Sequence, residues 1–145
     1  MLTWTTYGSW LQGDNRGYVK DGKILEKNEA LQKVNMKKLK IGPVELSCQE
    51  RQIVREAILN KAESLEQKIY ALAVCQNHVH IVAQRISESI EMVVSRYKNA
   101  ARLALRANGF IGRVWTRGFD KRFCFNQQDL KTRIEYVQTH YKQPV

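Results

Sequence analysis

The stretch Lys68-Ile69-Tyr70-Ala71-Leu72-Ala73-Val74-Cys75, then Gln76-Asn77, then His78-Val79-His80-Ile81-Val82-Ala83 decides the fold. Both outer runs are rich in β-branched and aliphatic residues, and the two polar residues between them suit a tight turn, so the segment reads as a β-hairpin. Upstream, Ser47 with Glu50 three residues on forms a capping box. It opens a helix whose apolar positions Ile53, Val54, Ala57 and Ile58 fall at helical spacing. Downstream, Ser87 or Ser89 caps the longest helix, which runs to about Asn108-Gly109, where glycine supplies the stop. Ile90, Val93, Val94, Tyr97, Ala101, Ala104 and Leu105 make its buried stripe, and Arg96, Lys98, Arg102 and Arg106 occupy much of the remainder.

At the ends of the chain, Leu2 to Tyr7 reads as a strand. Phe110 to Phe125 holds another strand or two, with a turn at Gly118. A final helix covers about Gln127 to Tyr141, with Leu130, Ile134, Val137 and Tyr141 inward. The order is strand, insertion, helix, strand, strand, helix, strand, helix. This predicts an α+β fold with a ferredoxin-like βαββαβ core, an antiparallel sheet with helices on one face, and an extra C-terminal helix. The 145 residues form one domain, 1–145. An insertion at about 8–46 is dense in turn signals: Gly8, Gly13-Asp14-Asn15, Gly17, Asp21-Gly22 and Gly42-Pro43. It is too long for a structureless connection, so it is expected to hold something ordered, best placed as a short basic helix at about Asn28 to Leu39. The lysines from Lys33 to Lys40 read as a solvated face.

The charge is lopsided: Lys+Arg 24 against Asp+Glu 14 gives a formal net charge of +10. A small domain this basic meets a polyanion, because lysines and arginines that neutralise phosphates release counterions. A membrane surface would suit the charge equally, yet no stretch approaches the ~20 apolar residues of a span, and neither end carries a basic amphipathic helix with a bulky apolar face. Met1 to Thr6 lacks a charged region followed by an apolar run, so no signal peptide is expected. The three cysteines, Cys48, Cys75 and Cys124, are far apart and form no CxxC pair, so neither a zinc knuckle nor a disulfide framework is expected, and a reducing cytoplasm is the simplest location.

His78-Val79-His80 is the sharpest chemical feature. Residues i and i+2 of a strand face the same side, so both imidazoles leave one face, about 6–7 Å apart at the backbone. They can close on one divalent cation. In the last helix, Tyr136 and His140 are i and i+4 and share a face. Each has a plainer reading alone: hydrogen bonding on a sheet surface for the pair, inward packing for Tyr136, the helix dipole for His140. The chain has only three histidines, and a shared site explains the conjunction better. A cation held by imidazoles polarises a phosphate oxygen, and a tyrosine hydroxyl can attack phosphorus to give a covalent phosphotyrosine. A three-histidine site also suits Zn²⁺ with water as nucleophile, in which case Tyr136 would be incidental.

Asn77-His78-Val79-His80-Ile81-Val82 and Glu135-Tyr136-Val137-Gln138-Thr139-His140 together resemble the IS200-like, Y1 family of HUH transposases, including the REP-associated tyrosine transposases. Two further stretches are similar: Thr3-Trp4-Thr5-Thr6-Tyr7-Gly8-Ser9-Trp10-Leu11 with Gly13-Asp14 and Arg16-Gly17, and Val114-Trp115-Thr116-Arg117-Gly118-Phe119-Asp120. The resemblance implies His78 and His80 as metal ligands, Tyr136 as nucleophile, and His140 where the family usually has a polar third ligand, often Asn or Gln. It implies Mg²⁺ or Mn²⁺, with Zn²⁺ as the other option for an all-imidazole site. It implies cleavage and rejoining of single-stranded DNA at hairpin-forming ends through a 5′-phosphotyrosine link with a free 3′-OH. Both a homodimer sharing the tyrosine helix and a monomer are compatible with it.

For strand binding, Arg96, Lys98, Arg102 and Arg106 are candidates to track phosphates, and Trp115, Arg117, Lys121 and Arg122 mix aromatic and basic groups suited to stacking and backbone contact. The different-class alternative is a ferredoxin-like nucleic-acid-binding module without turnover.

Overall fold

The protein is described from a computed structural model, which covers residues 1–9, 18–20, 23–25 and 43–142. Strand β1 (Leu2–Thr5) is followed by the short pair β2 (Tyr18–Lys20) and β3 (Lys23–Leu25), helix α1 (Cys48–Ser64), and strands β4 (Ile69–Val74) and β5 (His78–Ala83). Helix α2 (Ile90–Ala107), strand β6 (Asp120–Lys121) and helix α3 (Gln127–Lys142) complete the order. The described fold is α+β, a four-stranded antiparallel sheet in the order β4-β5-β1-β6 with three helices. The β2–β3 pair stands apart as a second, two-stranded sheet inside the insertion. The helix expected at Asn28 to Leu39, the lysine face from Lys33 to Lys40 and the similar stretch from Trp10 to Gly17 lie outside the described residues.

Local chemistry accounts for the elements. Ser47 Oγ accepts from the Glu50 amide at 3.1 Å while the Glu50 carboxylate accepts from the Ser47 amide at 2.9 Å, the expected reciprocal cap of α1. Ser89 rather than Ser87 caps α2, accepting from the Met92 amide at 3.2 Å. The helix ends at Asn108, with Gly109 at φ 93°, a conformation that favours glycine. The hairpin forms as expected: Val74 pairs with Val79, and the Cys75 amide donates to the His78 carbonyl at 2.8 Å.

Strand β4 has apolar residues on both sides because it is covered on both. Leu72 joins Trp4, Val79, Ile81, Val54, Ile58, Val93, Tyr97 and Leu105 in the main core under α1 and α2. Ala71 and Ala73 turn the other way and pack with Val82 and with Val137 of α3. The alanines matter here: a methyl group on β4 lets a helix lie close to the sheet. The helices are therefore divided, α1 and α2 on one face and α3 on the other. Among the expected inward positions of α2, Val93, Val94, Tyr97, Ala101 and Leu105 are buried, with Ile90 and Ala104 partly so.

The segment 110–125 holds less strand than expected. Beyond the two residues of β6 it contributes an isolated bridge, Thr6 with Trp115. Side-chain anchors hold it instead: Lys98 Nζ donates to the Thr116 and Gly118 carbonyls at 2.9 and 2.6 Å, and Thr116 Oγ1 donates to the Thr6 carbonyl at 2.8 Å. Side-chain donors reach carbonyls that no neighbouring strand satisfies.

Candidate functional site

The face of the sheet under α3 carries the histidines. On β5, Val79 and Ile81 are fully buried in the main core, so His78, His80 and Val82 point to the opposite side. The two imidazole rings lie edge-on with centroids 4.7 Å apart. His80 is the deeper, 6% exposed, and His78 is half-buried.

Each ring is held at Nδ1. His78 Nδ1 lies 2.7 Å from Asn77 Oδ1, and His80 Nδ1 lies 2.8 Å from the hydroxyl of Thr3, its direct cross-strand neighbour on β1. With the side-chain Oδ1 of Asn77 as acceptor, His78 Nδ1–H is the donor and Nε2 carries the lone pair; between His80 Nδ1 and the Thr3 hydroxyl either group can donate. Such outer contacts fix ring orientation and tautomer at cation sites.

Helix α3 supplies the tyrosine. Its Leu130, Ile134 and Val137 pack on Ala71, Ala73 and Val82, as their spacing predicts. That seating brings Tyr136 across the HxH strand, with its ring centroid 5.5 Å from that of His80. Tyr136 is nonetheless 44% exposed. His140 lies on α3 one turn beyond Tyr136; its side chain, like that of Tyr141, lies outside the described residues. The structure thus brings together His78, His80 and Tyr136 on one face. The donor set fits a divalent cation: two imidazoles from one strand face, each braced at Nδ1, with the helix carrying His140 packed above them.

The eight strand-binding candidates are divided. Arg96, Lys98, Arg102 and Arg106 all sit on α2, which covers the sheet face opposite the histidines. Lys98, Arg102, Trp115 and Arg117 line one shallow pocket of about 420 Å³. Trp115 belongs to the core: 7% exposed, edge-on to Trp4 at 6.0 Å, with its indole N–H donating to the Lys98 carbonyl at 3.0 Å. Arg96 forms a two-point pair with Glu88 at 2.7 and 2.8 Å, which holds the Glu88 carboxyl below its usual range. Lys121 pairs with Glu91 and Arg122 with Asp120, both at 3.1 Å.

Lys98 is partly desolvated, and burial followed by the nearby Arg113 lowers its pKa. Lys98→Met is expected to lower stability by about 1–3 kcal/mol, the penalty for stranding two carbonyl acceptors, read from the urea midpoint. A stable variant whose strand binding loses one unit of salt slope would instead make Lys98 a phosphate contact.

Sequence reasoning did not single out Thr3 or Asn77 as partners of the histidines. Asn77 carried a signal as the residue before His78; Thr3 is found only through the cross-strand register. No helix among the described residues is long and apolar enough to cross a membrane. Compared with protein-family models and with curated proteins, the chain matches none.

Proposed function

We propose that the protein is a metal-dependent tyrosine nuclease and strand transferase acting on single-stranded DNA, of the IS200-like, HUH type that the sequence resembles. The observation that carries this reading is the packing of α3 across the HxH strand, with the Tyr136 ring 5.5 Å from His80 and the His80 ring 4.7 Å from His78. The strand order β4-β5-β1-β6, with α1 and α2 on one face, supports a ferredoxin-like βαββαβ core, and α3 is then the added helix bearing the nucleophile.

In this reading His78 and His80, with His140, would hold a divalent cation, and Mg²⁺ or Mn²⁺ is the expected ion. Held there, a divalent cation would supply charge stabilisation at a phosphate oxygen. Tyr136 Oη attacks phosphorus: the Oη–P bond forms, the bond from phosphorus to the 3′ oxygen breaks, the phenolic proton is lost and the departing 3′ oxygen takes one up. The phosphodiester energy is kept in the tyrosyl link, so a 3′-OH can later reverse the step. Thr3 and Asn77 keep both imidazoles in one orientation throughout.

The test is to mix the protein with a hairpin-bearing single strand and Mg²⁺ or Mn²⁺ and look for a covalent species that survives denaturant. A denaturant-stable protein–DNA adduct is expected. Cleaved strands with no protein attached would point to a hydrolase using water, and tight, salt-dependent binding with no cleavage would point to a binding module; either result contradicts the proposal.

A further inference from the structure

A cavity of about 660 Å³ opens at the end of the sheet where β5 leaves and β1 begins, away from the histidine end of β5. Its floor is aliphatic, made by Leu2, Ile81, Val82, Ile90 and Leu130, and Tyr70, Arg85, Phe123 and Phe125 stand around it. Gln67, 9% exposed, is the buried polar residue of the wall, and both ends of its amide are engaged inside the protein. Its Nε2 donates to the Gln84 carbonyl at 2.6 Å, and its Oε1 accepts from the Tyr97 hydroxyl. Such a floor offers apolar contact rather than the donors and acceptors that reading the edge of a base requires.

The residue best placed to fill the cavity does not fill it. Asn126 Oδ1 accepts from the Asp129 amide at 2.8 Å, and Asp129 Oδ2 accepts from the Phe125 amide at 3.1 Å, so the entry to α3 is tightly capped. A hydrophobic residue just before such a cap normally folds onto the residue one turn in, which here is Leu130. Phe125 instead leaves its side chain 85% exposed while its backbone is fixed. Phe123, 46% exposed, stands beside it with ring centroids 6.2 Å apart. An apolar floor and two exposed rings are thus left side by side.

The charges at the rim give the occupant its sign. Glu88 is held by Arg96, Glu91 by Lys121 and Asp120 by Arg122. Among the described residues, neither Arg85 nor Lys68 is in an ion pair. The Arg85 guanidinium lies 5.9 Å from the Phe123 ring centre, and Lys68 Nζ lies 5.1 Å from that of Tyr70. The uncompensated charge around the cavity is therefore positive, in a chain of net charge +10.

We infer that this cavity is a docking groove for an acidic segment of a partner protein, which sets bulky apolar side chains on the floor before Leu130 and against Phe123 and Phe125, with its carboxylates at Arg85 and Lys68. Buried apolar anchors supply the affinity of such a contact, and the rim charges select the partner and its orientation. The volume lies within the ~300–1,000 Å³ of ordinary ligand pockets. A second copy of this chain fits less well, because its own excess of positive charge would meet the same cations. The groove uses neither the histidines nor Tyr136, so the inference stands apart from the nuclease reading.

The probes are four fluorescent synthetic peptides, each with one Phe and one Leu separated by one to four Asp residues and flanked by Asp, read by anisotropy. At least one is expected to bind saturably with a Kd on the order of 10 μM. Replacing its Phe and Leu by Ser, or its Asp residues by Lys, should each weaken binding by about tenfold or more. On the protein, Phe123→Ala/Phe125→Ala and Arg85→Glu should each cost about tenfold at an unchanged melting temperature, whereas Phe125→Trp and Tyr136→Phe should bind as the wild type does. The inference is overturned if none of the four peptides binds more tightly than its Ser and Lys counterparts, or if the double variant binds them undiminished. Oligo-dT whose affinity falls in the double variant as much as the peptide's would assign the groove to a nucleic acid instead. A double variant that changes only in sedimentation would assign the exposed rings to self-association, and it too overturns the inference.

Discussion

Tyr136→Phe is expected to abolish the covalent protein–DNA adduct and to lower strand cleavage by on the order of 10⁴-fold or more, the scale seen when a nucleophile is removed. The substitution deletes one oxygen from a ring that is 44% exposed, and Leu130, Ile134 and Val137, which seat the helix, are untouched. The fold and the binding of uncleaved DNA should therefore be unchanged, and a melting curve with an anisotropy titration checks both. This separates the tyrosine mechanism from the water mechanism cleanly. Were the cation to activate water, loss of the phenol would leave cleavage nearly intact.

His80→Ala carries the second large effect, and unlike the first it combines function with stability. His80 is 6% exposed and stands at the centre of the site, touching His78 and Tyr136 by its ring and Thr3 through Nδ1. Alanine removes one of the two imidazoles proposed to hold the cation and leaves a gap between α3 and the sheet. Stoichiometric cation binding should be lost, and with it cleavage and adduct. The unfolding midpoint should also fall, by about 1–3 kcal/mol for the lost packing and the abandoned Thr3 hydroxyl. Metal analysis of the dialysed protein and urea titration measure the two separately. His78→Ala offers a contrast. His78 is only half-buried and leans on its neighbour Asn77, so the same loss of cation is expected with a smaller change in stability.

Much of the frame was legible because it is local. The run His78 to Ala83 forms β5 with the bounds its composition predicts, and the Ser47–Glu50 box caps α1 as its spacing requires. The inward residues of α3 follow from a 3.6-residue period. Periodicity names the buried stripe of a helix but not the side of the sheet to which that stripe is applied. The arginines of α2 read as candidates to track phosphates, and the structure places α2 and α3 on opposite faces of the sheet.

Trp115 beside Arg117 reads as a stacking surface, yet a tryptophan whose indole N–H finds a backbone carbonyl is equally at home in a core, and Lys98 supplies that carbonyl. Lys98 reads as a phosphate contact, and its anchoring of residues 116–118 depends on chain geometry some 20 residues away. Asp21-Gly22 carries a turn signal, but the three-residue strands β2 and β3 beside it are too short to show a period.

At the site itself, the i, i+2 rule placed both histidines on one face. The i, i+4 rule put Tyr136 and His140 on one side of α3. The meeting of the two elements depended on long-range packing, and Ala71 and Ala73 carry it. Small residues in an otherwise bulky strand are the one trace of the helix above them. Thr3, the brace on His80, was hidden because antiparallel register is set by the whole sheet.

The central claim is that Tyr136, and no water molecule, makes the bond to phosphorus. Peptide mapping by mass spectrometry of the denaturant-stable species tests it most directly. The account predicts nucleotide mass attached to the peptide containing Tyr136, released to the unmodified peptide when a 3′-OH strand is supplied. Nucleotide mass on another peptide, or cleaved DNA with no modified peptide at all, would contradict it.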